Sequence, residues 1–169
     1  MNIIETERLT IRWLTEDDAE FIYRLYNTDS FLQFVGDKNL QTIDDARKYL
    51  LTGALNMYDR IGMGLYMVEL KSDKTALGIS GLIKRDSLND IDIGYGFLPE
   101  FEGKGYAYEA GVALKSYAKN ILKIERLVAI TTADNKRSIA LLEKLGLDFE
   151  STVEEPDNQP ALRLYAMPL

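Results

Sequence analysis

The 169 residues contain no cysteine and no histidine. Their absence removes thiol nucleophiles, disulfides, zinc clusters and every Ser-His or Cys-His catalytic arrangement, so no metal site is expected. Chemistry must then fall to carboxylates, tyrosine, serine, lysine, main-chain dipoles and water. No apolar run approaches the length that spans a bilayer, and Met1 to Thr6 has no signal-peptide character. A cytoplasmic protein with no membrane partner is expected. Repeats, linkers and low-complexity tracts are absent too, and a 46% hydrophobic content suits a single domain over 1–169 with a core of its own. Basic residues are the minority, 20 against 27 acidic ones, for a net charge of -7. That balance argues against a nucleic acid held through its phosphates and tolerates an amine-bearing or basic partner, although it also serves plain solubility.

The periodicities give an α+β order. Leu9, Ile11 and Trp13 alternate with Arg8, Thr10 and Arg12 as in a half-buried strand. Thr15, with Asp18 three residues on, caps a helix carrying Phe21, Ile22, Leu25 and Tyr26. Phe31 to Asn39 reads as irregular, and Thr42 opens a second helix with Ala46, Tyr49, Leu50 and Leu55 on one face. Met63–Leu70, Ala76–Arg85 and Asp90–Phe97 suggest an antiparallel meander, the first two joined by a turn at Ser72-Asp73-Lys74. A helix from Ala107 to Ile121 follows, then the continuous apolar run Leu127 to Thr131 of a strand covered on both faces. Asn135 caps a last helix that Gly146 ends, and Leu147–Val153 and Leu162–Met167 close as a hairpin. The expected order is β-α-α-β-β-β-α-β-α-β-β, a mixed sheet of about seven strands with about four helices.

Asp90 to Glu109, DIDIGYGFLPEFEGKGYAYE, is the most informative stretch. Gly103-Lys104-Gly105-Tyr106-Ala107 leads into a helix start, where unpartnered N–H groups and the helix dipole attract anions. Glycine lets a phosphate approach the main chain and accepts positive φ, while a turn with no ligand is the other reading of the same residues. The G-x-x-x-x-G-K-[ST] loop is excluded, because Leu98 stands where its first glycine would be and Gly105 where Ser or Thr would follow. Tyr108 occupies the last position of the dinucleotide G-x-G-x-x-G/A fingerprint, which excludes that loop as well. In the preceding strand Asp92, Gly94 and Gly96 share one face, leaving space for a ligand against main chain beside an acid.

The element order, the segment Glu102 to Ala107, Asn135-x-x-Ser138 and Glu143-Lys144-Leu145-Gly146-Leu147 resemble the GNAT superfamily of acetyl-CoA-dependent N-acetyltransferases over nearly the whole chain. With the opening TERLTIRWLTEDDAE, the resemblance is to the branch that includes the ribosomal-protein N-terminal acetyltransferases. It implies acetyl-CoA as cosubstrate, main-chain pairing of its pantetheine arm at Phe97 and Leu98, and its pyrophosphate on the amides of Gly103, Lys104, Gly105, Tyr106 and Ala107. It also implies a binding role for Asn135, a role for Ser138 at the CoA sulfur, and a role for Asp92 in receiving or relaying the amine proton. Two positions depart from the pattern. Glu102 stands where Gln or Arg is common, and Leu142 stands where relatives carry the tyrosine that protonates the thiolate.

The residues keep plainer readings beside these. Asn135 and Ser138 are also favoured near a helix start, Asp92 is also read as a surface acid, and Glu109 suits the dipole of its own helix. A lysine amine of pKa about 10.4 costs roughly 4.6 kcal/mol to neutralise at pH 7, against roughly 1 to 1.4 for an α-amine, so the missing histidine favours acceptors of low amine pKa. The expected reaction is direct transfer to a peptide N-terminus or a small-molecule amine in a ternary complex, with a non-catalytic acyl-CoA sensor as the alternative. The acceptor is expected against the first two helices and Phe31 to Asn39, with Phe31, Phe34 and Val35 as lining or core. The sequence assigns no oligomeric state.

Overall fold

The computed structural model describes residues 1–156 and 159–169. Among these, eight strands form one sheet in the order β1-β2-β3-β4-β5-β6-β8-β7. The strands are β1 Asn2–Glu5, β2 Leu9–Trp13, β3 Leu65–Leu70, β4 Ala76–Lys84, β5 Ile91–Phe97, β6 Arg126–Thr132, β7 Asp148–Val153 and β8 Leu162–Pro168. The helices are α1 Ala19–Tyr26, α2 Asp29–Phe34, α3 Ile43–Leu50, α4 Asn56–Ile61, α5 Tyr106–Asn120 and α6 Lys136–Leu145. The expected meander is present, with β2 through β5 pairing antiparallel in succession. The later hairpin is present too, β8 lying between β6 and the edge strand β7.

Side-chain alternation divides the core between the two sheet faces. On one face α5 and α6 bring Leu114, Leu142 and Leu145 against Tyr66, Val68, Ile93 and Leu127. On the other, α1 to α3 bring Ile22, Leu25, Phe31 and Leu50 against Met67, Ile79 and Leu98. Each such fully buried aliphatic side chain contributes about 1.5–3 kcal/mol of transfer free energy. Among the described residues, no helix is long and apolar enough to cross a membrane.

The helix ends follow the expected chemistry. Thr15 and Asp18 form a reciprocal capping box, as do Thr42 and Asp45. Gly146 ends α6 at φ 102°.

Three elements differ from expectation. β1 is a four-residue edge strand with only two apolar residues, too short to carry an alternation of its own, and it exists by pairing with β2. Helix α2 takes the start of the segment read as irregular, residues 31–34, because Phe31 is drawn into the core and stacks on Tyr26 at 4.4 Å between centroids, while 35–39 are irregular as expected. The helix opened by Thr42 does not stop near Leu55 but widens into a π segment at Leu51–Leu55, continues as α4, and ends at Gly62 with φ 73°.

Candidate active site

The sheet opens between β5 and β6. These parallel strands pair only at Ile91↔Leu127 and Asp92↔Val128, although β5 runs on to Phe97 and β6 to Thr132. The Leu98 amide donates to the Leu77 carbonyl at 3.0 Å, so Phe97 sits opposite Gly78 in a pair whose own amide and carbonyl point away from β4. By the period of two, Tyr95 points its main chain the same way. Tyr95 and Phe97 therefore offer unpaired backbone groups to the gap, the arrangement an amide-containing chain needs in order to add as a strand. Leu98 does not. It is 1% exposed, its N–H is on Leu77, and its carbonyl accepts from the Phe101 amide at 3.0 Å, so its main chain is not open to the gap.

At the end of β5 the chain turns into the glycine loop. Gly103 and Gly105 lie at φ 74° and 83°, and no atom lies within 4 Å of where a Gly103 Cβ would be. Among the described residues, the amides of Gly103, Lys104, Gly105, Tyr106 and Ala107 donate to no protein acceptor. Five free amides at the start of the fifteen-residue α5 fit a diphosphate. Glu102 finds its explanation here: it pairs with Arg137 in the first turn of α6, which offsets a carboxylate beside those amides. On the far side, Arg8 donates to the Lys104 carbonyl at 3.0 Å and to Glu109 at 2.7 Å.

Ser138 faces the gap region from α6. Its Oγ lies 2.7 Å from the Tyr95 hydroxyl, and its amide donates to Asn135 Oδ1 at 3.2 Å. Asn135 thus caps α6, the plainer of its two readings. Leu142 is 1% exposed in the core. A phenol does lie against Ser138, that of Tyr95, and burial raises its pKa while the Ser138 bond opposes the shift. By its spacing Tyr95 is one more apolar position beside Ile93 and Phe97 on the strand.

Asp92 is not an open carboxylate. It is 1% exposed, and its Oδ2 accepts from Arg85 Nε at the end of β4. Burial raises its pKa, and the Arg85 charge and hydrogen bond only partly offset this. Nor is the glycine face beside it bare, since a Cβ on Gly96 would lie 2.3 Å from Phe31 Cε2, so the Phe31 ring fills that space. Of the residues expected near the acceptor, Phe31 is core, Phe34 is half-buried and Val35 is exposed.

Known proteins share this plan. The profile of the Acetyltransferase (GNAT) domain matches residues 8–148. The uncharacterized N-acetyltransferase YoaA of Bacillus subtilis is 29% identical over 154 residues, 90% of this chain and 86% of that protein. The ribosomal protein uS5-alanine N-acetyltransferase of Escherichia coli is 28% identical over 106 residues, 61% of this chain and 55% of that protein. Among solved structures, RimL, a ribosomal L7/L12 alpha-N-protein acetyltransferase in complex with coenzyme A, superposes with a TM-score of 0.86 at 18% identity. That alignment covers 100% of this chain and 98% of RimL. A GNAT-family acetyltransferase from Bacillus anthracis gives 0.82 at 24%, covering 99% and 98%. The profile match runs from the first residue before β2 to the start of β7, and on it the chain belongs to the GNAT acetyltransferases.

Proposed function

We propose that the protein transfers acetyl from acetyl-CoA to an amine by direct attack within a ternary complex. One observation carries the reading. The sheet parts beyond Asp92 and Val128, and the same β5 leads from unpaired main chain at Tyr95 and Phe97 to the free amides of Gly103 to Ala107. A pantetheine arm fits the first and a diphosphate the second, so a thioester would lie near the Tyr95–Ser138 pair. Acetyl-CoA, when bound, supplies the activated acyl group.

The chain's own residues then act as follows. Main-chain N–H groups at the gap polarise the carbonyl that gains charge, an effect strengthened where water is excluded. Tyr95 fixes Ser138: with the phenol proton given to Ser138 Oγ, the serine proton is free to turn toward the departing sulfur. Asp92 holds Arg85 on the α1–α3 side of the sheet, and an α-amine acceptor, of pKa about 7.7–8.0, releases its proton to water at little cost. A peptide N-terminus is the favoured acceptor class, in line with the similarity to the uS5-alanine and L7/L12 alpha-N-protein acetyltransferases.

The test is thiol release from acetyl-CoA over N-terminal peptides, polyamines and aminoglycosides. Turnover on at least one class, reduced in Ser138→Ala, is the expected outcome. CoA binding without thiol release on the whole panel would favour an acyl-CoA sensor.

A further inference from the structure

Thr6, Arg8 and Glu109 form a cluster for which acetyl transfer itself gives no task. Arg8 stands 96 residues before Lys104 and donates Nη1 to the Lys104 carbonyl at 3.0 Å. Its Nε reaches Glu109 Oε1 at 2.7 Å, and its backbone amide reaches Glu109 Oε2 at 3.0 Å. The Thr6 hydroxyl donates to that second oxygen at 2.5 Å, which engages both carboxylate oxygens of Glu109. The guanidinium also covers the Tyr106 ring, 4.5 Å from its centroid. Burial raises the Glu109 carboxyl, but the bonds from Thr6 and Arg8 outweigh it and hold the group below its ordinary range.

The consequence is stereochemical. A trans peptide points its carbonyl and its N–H in opposite directions, and the described chain has no cis peptide. Fixing the Lys104 carbonyl on Arg8 therefore fixes the Gly105 N–H on the side away from Arg8. A glycine at φ 83° would otherwise let the Lys104–Gly105 peptide plane turn over, as between the two common turn types. Turned over, that peptide would present a carbonyl oxygen where it now presents an N–H, and attraction for an anion would become repulsion.

We infer that Arg8 is the positioning residue of the diphosphate loop, holding the Gly105 amide toward the ligand from across the sheet. This rests on the reading of Gly103 to Ala107 as the diphosphate cradle. Arg8 serves the Lys104 carbonyl and Glu109 at once in the fixed geometry of its planar fork, a geometry that an ammonium on a flexible stem does not reproduce. Lysine at this position would stay with Glu109, the closer and charged partner, and leave the Lys104 carbonyl free.

The experiment measures affinities for CoA and for pantetheine, which lacks the diphosphate, in the wild type and in Arg8→Lys, Arg8→Met and Gly103→Asp, the last of which adds a carboxylate to the loop in open space. Both Arg8 variants are expected to weaken CoA about tenfold, the effect of losing one charge-assisted hydrogen bond, and to leave pantetheine unchanged. Should Arg8→Met fail to fold, Arg8→Lys carries the test. Wild-type CoA affinity in Arg8→Lys, with CoA weakened in Gly103→Asp, overturns the role of Arg8 and leaves the loop reading standing. Equal weakening of CoA and pantetheine by Arg8→Lys also overturns it, because a purely structural role would not discriminate. If Gly103→Asp changes neither affinity, the diphosphate reading fails and takes the inference with it.

Discussion

Asp92 and Arg85 are unequal partners. The carboxylate is 1% exposed, whereas the Arg85 side chain keeps 43% of its surface open. Removing the carboxylate leaves an arginine that can turn to water, but removing the arginine leaves a buried charge with nothing to offset it. Arg85→Met is therefore expected to destabilise by about 3 kcal/mol, and Asp92→Asn by about 1 or less. A pH series separates this from lost packing. Burial already raises the Asp92 pKa, and without Arg85 it rises further, so the folded Arg85→Met protein binds a proton that the unfolded chain releases. Relative to wild type, the variant must regain stability as pH falls toward and below the raised pKa. Denaturant midpoints from neutral pH down to the ordinary carboxylate range measure it, and a difference that stays constant throughout would rule out the buried charge as the cause. The sequence could place Asp92 on a strand face but could not supply its partner, because Arg85 meets it only through the β4–β5 register.

At the scale of elements, the fit of α2 to β5 depends on one missing side chain. A Cβ on Gly96 would stand 2.3 Å from Phe31 Cε2, so Gly96→Ala must displace the ring or the helix that carries it. Overpacking of this kind costs about 1–3 kcal/mol. Phe31→Leu shortens the side chain and is expected to recover part of the loss, which makes the double mutant more stable than the sum of the singles predicts. Strict additivity in urea unfolding would mean that the two residues do not compete for one space. The same pair marks where sequence reading stops. The Thr15 cap, the helix start at Thr42 and the Gly146 stop were legible because a cap is written within four residues. Gly94 and Gly96 looked like room for a ligand because the occupant of one position comes from a helix more than sixty residues earlier. Gly103 and Gly105 were legible, since a loop opening a helix is local. Tyr95, Arg137 and Arg8 were not, since each acts on a residue of another element.

For the molecule as a whole, the sheet is two antiparallel sections, β1–β5 and β6-β8-β7, joined by a short parallel seam. The seam leaves β5 main chain unpaired on one side, so a ligand that adds there completes the sheet and stabilises the fold by mass action. At a hundred times its Kd, CoA contributes about 2.7 kcal/mol, which for a domain of this size raises Tm by roughly 5–11 °C. Hydrogen exchange can say where that stabilisation enters. The Leu98 amide is already bonded to Leu77 and should be protected with or without ligand, which makes it an internal reference. The Tyr95 and Phe97 amides face the gap and should exchange fast in the free protein and slow on adding either pantetheine or CoA. Gly105, at the loop, should respond to CoA alone. Protection of Gly105 with no change at Tyr95 and Phe97 would mean that the diphosphate binds while its arm lies elsewhere, and the sheet gap would lose its part in catalysis.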